Sequence, residues 1–106
     1  MVEEILAAAG IKERGIRFAK PPSGTYAVWS EDIDADGPDG QPPRIFTHDI
    51  TLELYEPRKD DAARDALEAQ LAVHGLNWTR QDRFWIHTEQ IYQTIYNFSY
   101  TEKRRT

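Results

Sequence analysis

The stretch Arg44-Ile45-Phe46-Thr47-His48-Asp49-Ile50-Thr51-Leu52-Glu53-Leu54-Tyr55-Glu56 alternates side-chain character at every step. Phe46, His48, Ile50, Leu52 and Leu54 share one face of an extended chain, and Thr47, Asp49, Thr51, Glu53 and Tyr55 share the other. A helix would scatter both sets around its axis, so residues 44–56 are expected to form a half-buried strand. At about 3.4 Å per residue that strand reaches roughly 40 Å, which is long for a chain of 106 residues built around one core. It should run past the body of the domain as an arm of the kind that serves assembly.

The remaining elements are read around this strand. Val2, Ile5, Leu6 and Ala9 recur at helical spacing, and Gly10 stands where a left-handed helix stop belongs. Ile16-Arg17-Phe18 reads as a weak extended segment, Pro21-Pro22-Ser23-Gly24 as a turn, and Thr25-Tyr26-Ala27-Val28-Trp29 as a strand. Residues 31–43 combine acidic residues with Gly and Pro, and are read as a long acidic loop. After Pro57, Asp60 or Asp61 caps a helix that carries Ala63, Leu67, Leu71 and His74 on one side and stops at Gly75, with Leu76 folding back on Leu71. Phe84-Trp85-Ile86-His87-Thr88, a turn at Glu89-Gln90 and residues 91–101 form a hairpin, and residues 102–106 form a charged, flexible end.

This order gives an α+β fold over residues 1–106 as a single domain. It is expected to hold a mostly antiparallel sheet of about four strands with two helices packed on one face, because each helix has one apolar stripe to bury.

Composition narrows the function. Cys is absent, which removes disulfide scaffolds, thiolate metal sites and cysteine nucleophiles. The formal charge of -5 disfavours a chain devoted to gripping phosphate backbones. The acidic start and the short apolar run at residues 5–9 leave no secretory signal and no bilayer span, so a soluble, cytoplasmic protein is expected.

Candidate chemistry is sparse. Asp32-x-Asp34-x-Asp36-Gly37 matches the first half of a calcium loop, but the twelfth position, which should supply a bidentate Glu, is Pro43. A divalent-cation module built on these residues is therefore kept only as an alternative. His48, His74 and His87 lie far apart in the element order, and their spacing supports neither metal nor acid–base chemistry. Ser23, Ser30 and Ser99 lack the setting of a hydrolase nucleophile, and no glycine-rich phosphate loop precedes a helix. Tyr92, Tyr96, Phe98 and Tyr100, with Trp78 and Trp85, read as core, since no Lys or Arg is interleaved with them in 91–101 as a nucleic-acid platform requires. No active site, metal or cofactor is expected.

The run Tyr26-Ala27-Val28-Trp29, the acidic segment, Thr47-His48-Asp49-Ile50-Thr51-Leu52-Glu53-Leu54-Tyr55-Glu56, the short helix and the closing Tyr92-Gln93-Thr94-Ile95-Tyr96-Asn97-Phe98-Ser99-Tyr100 together resemble the small tail terminator, or tail completion, proteins of long-tailed phages and prophages. The resemblance covers residues 26–103. It implies a non-enzymatic homo-oligomer, a ring of six subunits that caps the tail tube and joins it to connector proteins of the head, made in the host cytoplasm and carried in the virion tail. A ring needs two different patches that meet. The face carrying Thr47, Asp49, Thr51, Glu53 and Tyr55 is the candidate oligomer interface, and Glu31, Asp32, Asp34, Asp36 and Asp39 are candidates for a segment facing a channel or partner, where carboxylates let DNA pass without sticking. A head-side connector or stopper protein is the alternative within the same particle.

Overall fold

A computed structural model describes residues 1–14, 24–37, 40, 42 and 44–103. In chain order the elements are α1 (Val2–Ala9), β1 (Lys12–Glu13), β2 (Tyr26–Asp36), β3 (Ile45–Glu56), α2 (Asp61–Val73), β4 (Trp78–Arg80), β5 (Phe84–Ile86) and β6 (Ile91–Lys103). The expected extended segment at Ile16-Arg17-Phe18 and the turn at Pro21-Pro22-Ser23 lie outside the described residues.

The strands form a single mixed sheet in the order β1-β2-β3-β6-β4, with β5 also pairing β6. The α+β class stands, but the expectation of about four mostly antiparallel strands is overturned. Among the described residues there are six, and β1 joins β2 in parallel through Lys12↔Tyr26 and Glu13↔Ala27. The two additional strands, β1 and β4, are two and three residues long. Neither is long enough to show a period of two, and each is held in place by the longer strand beside it.

The second correction concerns the acidic segment. Residues 31–36 are strand and not loop: β2 continues to Asp36 and pairs with β3 along its whole length, up to Asp36↔Ile45. The carboxylates at 32, 34 and 36 occupy alternate positions and so share one face, while Ile33 and Ala35 share the other. Backbone pairing to a strong neighbour outweighs the low strand propensity of Asp. The C-terminal end is corrected in the same way, because Glu102 and Lys103 belong to β6 and pair with Phe46 and Ile45. Residues 104–106 lie outside the described set.

Both helices lie on one sheet face and contact each other there. Val2, Ile5 and Leu6 of α1 and Leu67 and Leu71 of α2 pack with Ala27, Ile50, Leu52, Leu54, Tyr96 and Phe98 in a continuous buried cluster. Both helices end in the same manner. Gly10 (φ 73°) and Gly75 (φ 68°) take the left-handed conformation, which lets Ile11 N–H reach Leu6 O and Leu76 N–H reach Leu71 O. At its other end α2 is capped by Asp60, whose carboxylate accepts from Ala63 N–H at 3.1 Å. His74, expected on the buried stripe, is the exposed residue at the helix stop.

The molecule measures 51 × 29 × 23 Å. Its length follows β2, β3 and β6, which extend together beyond the helices as a three-stranded arm made of 32–36, 45–49 and 99–103.

Candidate assembly surface

The register of the sheet decides which sequence-predicted residues meet. In antiparallel pairs, partners project from the same face. Asp32↔Asp49, Asp34↔Thr47 and Asp36↔Ile45 therefore place Asp32, Asp34 and Asp36 on the helix-free face together with Thr47, Asp49, Thr51, Glu53 and Tyr55. Asp32, Asp34 and Asp36 of the second candidate group, expected as a separate surface, thus share the face of the first. Asp39 lies outside the described residues. Asp32 directly opposite Asp49 juxtaposes like charges, an arrangement that works against pairing and persists only because the surrounding ladder fixes it.

The predicted interface divides along its length. Near the body its side chains are tied to one another: the Tyr55 hydroxyl donates to Glu53 Oε2 at 3.0 Å and accepts from Gln93 Nε2 at 3.0 Å, and its ring stacks on Tyr26 with centroids 5.1 Å apart. Burial, followed by the neighbouring Glu53 carboxylate, pushes the Tyr55 phenol up to about 12. Thr51 Oγ1 donates to Asn97 Oδ1 at 3.2 Å. Further out, Asp32, Asp34, Asp36 and Asp49 are exposed. Between the two zones lies an open depression of about 330 Å³ lined by Asp32, Asp49, Thr51, Thr79, Asn97 and Ser99.

Glu31 is the one acidic candidate on the other face. Its Oε1 lies 2.8 Å from His48 Nδ1, on the central strand of the arm. His48 is buried, stacks almost parallel on Tyr100 with centroids 4.5 Å apart, and has its Nε2 3.8 Å from Glu102 Oε1. One imidazole thus links β2, β3 and β6 where the helices stop covering them. Sequence reading placed His48 on the apolar face of β3; its carboxylate partners become visible only with the register. His74 lies at the stop of α2 and His87 in the β5–β6 turn, so the three histidines belong to three different settings. Among the described residues, no cluster of His, Asp and Glu has the geometry to hold a metal ion. Asp32, Asp34 and Asp36 project from an extended strand with their Cα atoms about 7 Å apart in succession, where a calcium loop would fold its ligands around the ion.

A network around the buried Glu56 at the opposite end had no sequence signal. Glu56 is fully buried and accepts from Arg83 Nη2 at 3.0 Å and from Asp60 N–H at 2.6 Å. Arg83 also donates to Asp61 Oδ1 at 2.8 Å. That hydrogen bond and the guanidinium charge hold the Asp61 carboxyl below its ordinary value. This triad fixes the start of α2 and the approach to β5 against β3, so its role is architectural.

No protein-family model and no curated protein matches the sequence. Among solved structures, the fold is similar to that of a chain in the virion of a native gene transfer agent particle, with a TM-score of 0.58 and 15% sequence identity, covering 90% of this chain and 81% of that one. The likeness is one of fold. No helix among the described residues is long and apolar enough to cross a membrane.

Proposed function

We propose that this protein is a structural subunit of a phage-like virion: a tail terminator that assembles with copies of itself into a ring, closes the end of the tail tube and joins it to the head without performing a reaction. The observation that carries this reading is the three-stranded arm, an extended structure that projects past the core and exposes Ile33, Ile45 and, on its helix-free face, four carboxylates. The fold likeness to a chain of a gene transfer agent virion supports it. In such a ring the helix-free face of the arm turns toward the passage, and Asp32, Asp34, Asp36 and Asp49 keep the DNA phosphates from adhering.

The test is binding of the purified protein to isolated tail tubes and, separately, to DNA-filled heads bearing their connectors. A terminator saturates the tube ends and makes tubes competent to join heads. Binding to heads and not to tubes would place the protein on the head side as a connector or stopper, and binding to neither would end the virion reading.

A further inference from the structure

Among the described residues the arm has two outer edges, and in both the backbone ladder stops short. β2 has β1 beside it only at Tyr26 and Ala27, so no described strand lies along 32–36. β6 has β5 beside it at 91–93 and β4 at 96–98, so no described strand lies along 99–103. These two edges stand at the same level of the arm, since Asp32, Asp49 and Ser99 form one row across the sheet and Asp36, Ile45 and Lys103 form another. They also run in the same direction, because both strands are antiparallel to β3. On the helix-free face the two edges differ in charge: Asp32, Asp34 and Asp36 line one, while Ser99, Thr101 and Lys103 line the other, which continues in sequence with Arg104-Arg105; Glu102 projects from the opposite, helix side, beside His48.

We infer that the partner of each edge is the other edge of a second copy, with 32–36 of one protomer pairing in parallel beside 99–103 of the next, so that the arms join into one continuous sheet. This deepens the ring reading above by assigning the joint between subunits. An open strand edge is a template for pairing with another chain. Charge then selects which chain. Two β2 edges meeting about a two-fold axis would bring aspartates against aspartates, whereas β2 against β6 places Asp36 level with Lys103. The contact is head-to-tail, so it closes into a ring once the rotation between copies divides a full turn. On the helix side the same junction brings Ile33, 53% exposed in the isolated chain, alongside the neighbour's Tyr100.

The chain has no cysteine, so a direct geometric test is available. Within one protomer, positions 34 and 101 flank Thr47 and are two strand spacings apart, about 9.6 Å, beyond the roughly 7 Å that a disulfide spans. The double variant Asp34→Cys with Thr101→Cys can therefore cross-link only between copies. Under mild oxidation it should give a ladder of dimer, trimer and higher species ending at a closed ring, and the single-cysteine variants should stop at dimers. In parallel, a chain with Asp32, Asp34 and Asp36 changed to Lys, and another with Lys103, Arg104 and Arg105 changed to Glu, should each associate at least about tenfold more weakly than wild type. An equimolar mixture of the two should regain association, since each reversed edge then meets its complement. Absence of the ladder, or reversals that leave association unchanged, would overturn the pairing. Thermal unfolding of each variant near the wild-type midpoint checks that the fold is kept. Cross-linked rings that ignore tail tubes would retire the tail reading and leave the edge pairing standing; tube binding by a chain that gives no ladder would do the reverse.

Discussion

The same three strands pass through two environments. In the body, β2, β3 and β6 lie beneath α1 and α2, and Leu52, Leu54 and Tyr96 are wholly buried. In the arm the strands continue with unbroken pairing but without helices, and Ile33 and Ile45 are largely exposed. The backbone ladder is alike in both halves, so the difference lies in what covers the sheet. Apolar burial stabilises the body, whereas the arm rests on its hydrogen bonds, the His48 stack and the continuity of strands anchored elsewhere. A ribbon of strands with no covered hydrophobic face is marginal by itself. Attached to a packed body it becomes a ready surface for another chain.

Mutations on the same sheet face of the two halves should separate these contributions. Leu52→Ala removes a fully buried side chain and is expected to cost about 3–5 kcal/mol in urea unfolding, while Phe46→Ala, on the same strand face in the arm, should cost far less. A similar loss at both positions would mean that the arm is a second core.

Next in size, Arg83→Met leaves the buried Glu56 with Asp60 N–H and should destabilise by about 2–3 kcal/mol, with part recovered when Glu56→Gln is added. The variant should also respond differently to acid. Arg83 depresses the Asp61 carboxyl in the fold, so that contribution is present above the ordinary value of 3.8 and is lost as pH falls through the lower folded value. Without Arg83 the acid limb of the stability curve should be shallower. Asp60→Ala removes the α2 cap and should cost about 1 kcal/mol, again without affecting the arm.

Smaller effects probe the sheet surface. Tyr55, Tyr96 and Tyr100 are all raised in the fold, first by burial, and Tyr55 to about 12. A phenol raised in this way lends stability that is complete below pH 10 and declines as pH rises toward the folded value. Ultraviolet titration should therefore show part of the phenolate signal delayed beyond pH 10 and coupled to unfolding, and Tyr55→Phe should remove its share. Least of all, changing Asp32, Asp34 and Asp36 together to Asn should shift stability by no more than about 0.5 kcal/mol, in the stabilising direction because Asp32 no longer opposes Asp49. The same variant should impair assembly, which would set the arm apart as a surface kept for contact and not for folding.

What the sequence reveals follows from what is periodic. The strand over 44–56 and both helices with their glycine stops are legible because alternation and helical spacing are properties of consecutive residues. The acidic segment misleads for a physical reason: Asp and Gly argue for a loop locally, yet residues 32–36 have a long neighbouring strand to complete their hydrogen bonds. The pairing of Glu31 with His48, and the union of the acidic set with the Thr47–Tyr55 face, depend on register across residues far apart in the chain. The Glu56–Arg83–Asp61 network depends on contacts between elements and leaves no local trace. The candidate surface was thus legible as two sets of residues, and only the fold makes them one.

The proposed role of the arm is to join copies into a ring. Native mass spectrometry of the wild-type chain over a range of concentrations, followed by electron microscopy of the largest species, tests it most directly. Wild type should give a closed ring at a fixed integer multiple of 12.3 kDa that dissociates when either edge of the arm is charge-reversed. A mass of one chain throughout the range, or a two-fold dimer indifferent to those reversals, would contradict it.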